Sequence, residues 1–248
     1  MLLFFILPLV AIVTQVVPAS LAANLATPSV RQAIWLTVQT TAATTLLAVV
    51  LGSPVAYLLA RRRFPGRSLI DTLIDLPMVL PPAVAGIALL VAFGREGLVG
   101  QYLSAMGIVV SFSTAAVVMA QTFVASPFFV KAAIAGFAGV DRELEQAAAL
   151  ERASPLRVFL AVTVPQAWPV LVGGTIMTWA RALGEFGATI IFAGNFPGRT
   201  QTMPLAIYLG FELDLGVALT LSAVLLATSF VVLFLVKGAL HQRVRVVD

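Results

Sequence analysis

The chain contains no cysteine and a single histidine, His241. Without cysteine there are no disulfides, thiolate metal sites or cysteine nucleophiles. One histidine near the C-terminus supports neither a multi-histidine metal centre nor a serine, histidine and carboxylate triad. No G-x-x-x-x-G-K-[ST] phosphate loop occurs either, so ATP hydrolysis of the P-loop kind is not expected from this chain. Charge is also scarce. Asp, Glu, Lys and Arg make up 10% of the 248 residues, whereas soluble domains carry about 25%. Hydrophobic residues reach 60%, with a mean hydropathy of +1.03, and such a chain is expected in a lipid bilayer.

A helix that crosses a bilayer needs about 20 mostly apolar residues. Six stretches reach that length, at 2–21, 34–60, 69–93, 112–135, 168–193 and 215–236. The sequence therefore predicts an all-α integral membrane protein, one transmembrane domain over 1–248 with six spanning helices. Ala19, Ser20, Leu21 and Ala22 offer small residues to a signal peptidase, but no basic segment precedes the apolar run, so it is expected to remain as a span.

The net charge of +4 is gathered in short basic clusters beside apolar runs, which is the pattern of membrane topology rather than of nucleic-acid binding. If the first span enters from the cytoplasm, Arg61, Arg62, Arg63, Arg67, Arg142, Arg152, Arg157, Lys237, Arg243 and Arg245 fall inside. Only Arg31, Arg95 and Arg199 then fall outside. Ten against three follows the positive-inside rule, and places both termini and the polar stretch 141–165 in the cytoplasm.

That stretch, DRELEQAAALERASPLRVFLAVTVP, is the most polar long run in the chain. Asp141 suits an N-cap, 142–153 is rich in helix formers, and Pro155 disfavours helix at Ser154, so one helix should stop there. Ser154 then caps a second helix with Pro155 in its first turn, which continues until Pro165 marks the next span. Leu144, Ala147 and Ala148 are expected on one side of the first helix, with Arg142, Glu145 and Arg152 elsewhere. Two readings stand: a docking surface, or an ordinary solvated loop.

Few polar groups interrupt the spans. Pro77, Pro81 and Pro82 remove helix hydrogen bonds in one apolar block, which is tolerated where protein or a water-filled cavity satisfies the backbone. Pro81 and Pro82 are thus candidates for a translocation path, or for a kinked helix packed against its neighbours. Asp71 and Asp75, one turn apart, are expected to meet the arginines at 61–67. Arg181 and Glu185 lie four residues apart inside a predicted span, and can pair on one helix. In one reading Arg181 faces a passing anion while Glu185 holds it in place; in the other the pair only fixes packing. Thr178 is a candidate hydroxyl donor. Gly184, Gly187 and Ala188 would permit close approach of a second helix. Outside, Asn195, Phe196, Pro197, Gly198 and Arg199 form a turn sequence that exposes Arg199, and Gly94, Arg95, Glu96 and Gly97 resemble it in character.

Gln146, Ala147 and Ala148, then Arg152, then Val162, Thr163, Val164 and Pro165, resemble the EAA loop of ABC importer permeases. The pattern there is E-A-A, three residues, G, nine residues, I-x-L-P. The spacing matches throughout, but Gln146 stands at the glutamate position with Glu145 one residue early, and Arg152 stands at the glycine. The stretches 180–189 and 193–208, supported by 76–82 and 112–118, are similar to the molybdate permeases and less closely to the sulfate permeases. The resemblance implies the type I ABC importer permease fold. It makes 141–165 a coupling loop, with Glu145, Gln146, Ala147, Ala148, Arg152, Ser154, Pro155, Val162 and Pro165 fitting a groove on an ATP-binding subunit.

The implied assembly is a homodimer in the bilayer of a bacterial or archaeal inner membrane, with two ATP-binding subunits that hold ATP and Mg and an extracytoplasmic oxyanion-binding protein. Arg199 and Arg95 would dock that protein. No cofactor is expected in this chain. Tungstate or sulfate and thiosulfate transport are the alternatives, and a stand-alone secondary transporter or channel is a further one.

Overall fold

The computed structural model describes residues 1–16 and 18–244; Arg245, one of the residues counted toward the cytoplasmic side, lies outside them. Thirteen helices occur among the described residues and no strand. In order they are α1 (Leu2–Gln15), α2 (Pro18–Ala26), α3 (Pro28–Arg61), α4 (Arg67–Val79), α5 (Pro82–Phe93), α6 (Gly100–Ala105) and α7 (Thr114–Ala138). There follow α8 (Arg142–Leu150), α9 (Pro155–Val158), α10 (Val164–Leu183), α11 (Gly187–Phe192), α12 (Met203–Leu213) and α13 (Leu215–Val244).

Four helices are long and apolar enough to cross a membrane: Pro28–Arg61, Thr114–Ala138, Pro155–Leu183 and Leu215–Phe234. The expected span 69–93 is divided between α4 and α5, and passes the same test only when the two are taken together, giving up to five. Its break falls at Leu80, which is extended at φ −63 and ψ 135, next to the Pro81 and Pro82 pair. The expected span 2–21 is also interrupted. α1 ends at Gln15 with Val16 extended, and its 14 residues are short of a full crossing. Proline alone does not decide such breaks, since Pro54, Pro127 and Pro169 all lie inside continuous helices.

The chain divides into two compact units, one formed by Met1–Thr40, Gly86–Val117 and the residues from Gly184 onward, the other by Thr41–Ala85 and Val118–Leu183. In the second unit, Ala48 and Ala56 of α3 pack with Phe129, Val130, Ala133 and Phe137 of α7 and with Ala167 and Leu171 of α10. Small residues let the helices close up. A Cβ on Gly174 would lie 2.6 Å from that of Ala132, so α10 and α7 approach almost backbone to backbone there. Tyr57, Phe137 and Phe159 add an aromatic cluster, with ring centroids 5.1 to 5.7 Å apart.

In the first unit, buried hydroxyls do comparable work. Thr37 on α3 donates to Ala33 O and accepts from the Met203 N–H at 2.8 Å, which ties the start of α12 to α3. Asn24 donates to Thr220 on α13 at 2.9 Å. A Cβ on Gly86 would lie 2.9 Å from Ala188 O, so the close approach expected at Ala188 is made to α5 within this chain. Large apolar side chains such as Trp35, Val50 and Phe211 stay exposed, as residues facing lipid do.

Candidate functional site

The two-helix loop at 141–165 forms much as its sequence requires. Asp141 caps α8 by accepting from the Glu143 N–H at 2.9 Å, and Ser154 caps α9 by accepting from the Arg157 N–H at 3.3 Å, with Pro155 in the first turn. Between them Arg152 occupies the left-handed region at φ 61. The Arg152 N–H reaches Ala149 O at 3.0 Å and the Ala153 N–H reaches Ala148 O at 3.3 Å, the paired bonds of a Schellman motif. Arg152 therefore makes the turn that glycine makes in the EAA pattern, and carries the steric cost of doing so.

Pro165 does not end the second helix. The chain runs helically from Pro155 to Leu183, passing through a π-turn at Phe159–Thr163. The Val164 N–H bonds to Phe159 O, five residues back. A proline ring at 165 crowds the carbonyl of Ala161 and offers no N–H to it, and the wider π-turn accommodates both facts without stopping the helix.

The faces of α8 differ from expectation at two residues, Glu145 and Ala148. Arg142, Glu143, Leu144, Gln146, Ala147, Ala149 and Leu150 are exposed, Leu150 to 85%. Glu145, expected on a different side from Ala148, instead turns inward with it. Its carboxylate Oε1 accepts from Arg61 Nη2 at 2.9 Å and from Thr163 Oγ1 at 2.5 Å. Both Nη atoms of Arg61 also donate to Val140 O at 3.3 Å. The Arg61 and Glu145 side chains are only 9% and 16% exposed, which makes this a largely desolvated pair. An open cleft of about 270 Å³ lies alongside, lined by Tyr57, Arg61, Arg142, Glu145, Gln146 and Ala149. Val162 is half-buried and Pro165 exposed.

In the sequence Arg61 stands as a topological charge and as a partner for Asp71 and Asp75, and Thr163 only as a motif position. The partner expected for Asp71 and Asp75 is not the one found. Both carboxylates hold Lys131 of α7, at 2.8 and 2.9 Å, rather than the arginines at 61–67. Depth was the available signal. Asp75 lies eight residues into α4, about 12 Å along it, and Lys131 lies seven residues before the end of α7, about 10 Å along it. The arginines at 61–63 precede α4 altogether.

The candidate path residues lie in different pieces of local structure. Arg181 is half-buried on the last turn of α10, but that helix ends at Leu183, so Arg181 and Glu185 do not share one helix. Glu185 is 1% exposed in the non-helical link and accepts from the Ala188 N–H at 2.8 Å, in the first turn of α11. Thr178 is fully buried on α10, and its hydroxyl has no hydrogen-bond partner among the described residues. Pro81 and Pro82 flank the break between α4 and α5, both exposed. Arg199 and Arg95 are exposed too, on loops that are well tied. Thr114 donates to Arg199 O at 2.8 Å, and Ser104 donates to Arg95 O at 3.3 Å.

Residues 48–246 match the family model described as binding-protein-dependent transport system inner membrane component. The molybdenum transport system permease protein ModB of Mycobacterium tuberculosis is 48% identical over 231 residues, which cover 92% of this chain and 87% of that protein. ModB of Escherichia coli K12 is 42% identical over 178 residues, covering 71% and 78%. The sulfate transport system permease protein CysT of Salmonella typhimurium is 35% identical over 236 residues, covering 94% and 85%. Among solved structures, a bacterial alginate ABC transporter in complex with its alginate-bound periplasmic protein matches with a TM-score of 0.74 at 14% identity, covering 99% of this chain and 90% of that one. The MetNI methionine ABC transporter matches at 0.62 and 18%, covering 88% and 96%. These two likenesses establish the fold, that of a type I ABC importer permease.

Proposed function

Because the chain belongs to the family of inner membrane components of binding-protein-dependent transport systems, we propose that it is the permease subunit of an ATP-driven importer whose cargo is molybdate. The observation that carries the cargo is the 48% identity to the molybdenum permease across 92% of this chain, against 35% to the sulfate permease. On this reading the whole of 1–248 is one permease domain, since α3, α5 and α7 each contribute residues to both compact units. Two copies enclose the path in the inner membrane, with the arginine-rich segments and both termini in the cytoplasm.

The loop 141–165 supplies the coupling surface. Leu144, Gln146, Ala147 and Leu150 are exposed on α8 and fit a groove on an ATP-binding subunit. That partner holds ATP and Mg²⁺ and hydrolyses ATP; its closure moves the two coupling loops, and the spans carry the movement to the opposite gate. Arg199 and Arg95 receive the oxyanion-binding protein outside. Arg181 offers positive charge to the anion beside the path, and the break at Pro81 and Pro82 leaves backbone groups free to line it.

Deleting 142–153 tests the coupling assignment. Membrane insertion should persist while the ATP-binding subunit no longer co-purifies; retained association would overturn it. Cargo is tested on the reconstituted complex with its binding protein. Molybdate should stimulate ATP hydrolysis at lower concentration than sulfate, and the reverse order would make the chain a sulfate permease. Uphill anion transport by this chain alone would instead make it a secondary transporter.

A further inference from the structure

We infer that Glu145 is a positioning residue, the link through which movement of α8 reaches the membrane spans. One carboxylate oxygen holds three elements together: α8 itself, the end of α3 through Arg61, and the π-turn leading into α10 through Thr163. Arg61 extends the link to Val140 O, on the segment between α7 and α8. Among the described residues, no other side chain of α8 hydrogen-bonds to another element. Asp141 caps its own helix, and the remaining side chains except Ala148 are exposed. Without that link a helix of nine residues, held by its backbone ends and by packing on the π-turn and α9, would pivot when pushed on its outer face. The Glu145 link makes α3 and α10 follow.

The chemistry of the link favours a rigid connection. Arg61 and Thr163 both donate, and a carboxylate accepts from both without offering a competing donor. The bond to Arg61 is charge-assisted and largely shielded from water, so it is stronger than a neutral hydrogen bond. Position matters as much as charge. Residue 146 lies about 100° further round the helix and is exposed, so a glutamate there would point away from Arg61 and Thr163. This chain thus keeps the neutral Gln146 on its outer face and uses its carboxylate inwardly.

The inference rests on reading 141–165 as the docking loop for an ATP-binding subunit, and the two fail in different ways. Co-purification of the subunit reports the docking. Anion delivered per ATP hydrolysed, in the full complex with its binding protein in liposomes, reports the link. Thr163→Val should leave co-purification and ATP hydrolysis at wild-type levels while lowering anion per ATP, and Glu145→Gln should lower anion per ATP by about tenfold, the worth of one charge-assisted bond. Moving the carboxylate, with Glu145→Gln and Gln146→Glu together, should not restore the ratio. A wild-type ratio in the single variants, or restoration in the double variant, would overturn the inference. If Glu145→Gln does not assemble, Thr163→Val decides alone, because it leaves the Arg61 pair intact; loss of assembly in both would make the link a folding element only and also overturn it.

Discussion

Replacing Arg152 with glycine should strengthen the coupling loop. Arg152 sits at φ 61, where an L side chain brings Cβ against the following carbonyl at a cost of about 1–2 kcal/mol. Glycine avoids that cost but has more backbone freedom to lose when the loop orders, which returns about 0.5–1 kcal/mol. The middle of each range leaves a net gain of about 0.75 kcal/mol, a factor of about 3–4 in the local opening equilibrium. Hydrogen exchange reads that equilibrium directly at the amides of Arg152 and Ala153, which are bonded to Ala149 O and Ala148 O in the closed turn. Exchange at the Ala153 amide and in the last turn of α8 should slow by about 3–4-fold in Arg152→Gly. Arg152→Ala provides the decisive comparison, because it removes the same side chain but keeps Cβ, and it should bring no such slowing. Equal protection in the two variants would show that the guanidinium, not the backbone, sets the stability of the turn, and would refute the reasoning.

Gly174→Ala should destabilise the packing of α10 on α7, since its Cβ would stand 2.6 Å from that of Ala132; a loss of about 1–3 kcal/mol should appear as a lower melting temperature in detergent. Thr37→Val removes the acceptor of the Met203 N–H and should cost about 1–3 kcal/mol, while Thr37→Ser should retain most of the stability in the same melt. Lys131→Met leaves Asp71 and Asp75 facing each other without their cation. The side chains are one third to nearly one half exposed, so the loss should stay near or below about 1 kcal/mol per pair, and adding Asp71→Asn with Asp75→Asn should recover it.

Much of the loop was legible because its signals are local. Asp141, Ser154 and Pro155 act on backbone groups two or three residues away, and the structure uses each as a cap or first-turn residue. The spans were legible as apolar runs, but apolarity does not mark where a run stops being one helix. Nothing in hydropathy separates Val16 from Leu9, or Leu80 from Leu89, yet the chain is extended at the first of each pair. The converse held at Pro165, where a rare π-turn absorbs the proline. Glu145 was misplaced for a different reason. A charged residue on a short amphipathic helix normally faces water, and only the arrival of Arg61, 84 residues earlier in sequence, makes the inward side the better one. Helical spacing put Arg181 and Glu185 on one helix, which in fact ends at Leu183, because nothing in the apolar run marks that end.

The π-turn has a consequence for how this gene can be edited. It contains one residue more than an α-helical turn would, so deleting any single residue from 159–163 lets the helix close with ordinary i to i−4 bonds. Everything upstream would then swing by about 100° relative to α10 and advance by about 1.5 Å. A loss that hydropathy plots would not register would thus aim α8 and α9 at a different neighbour, and length polymorphism in these five residues should be far less tolerated than substitution.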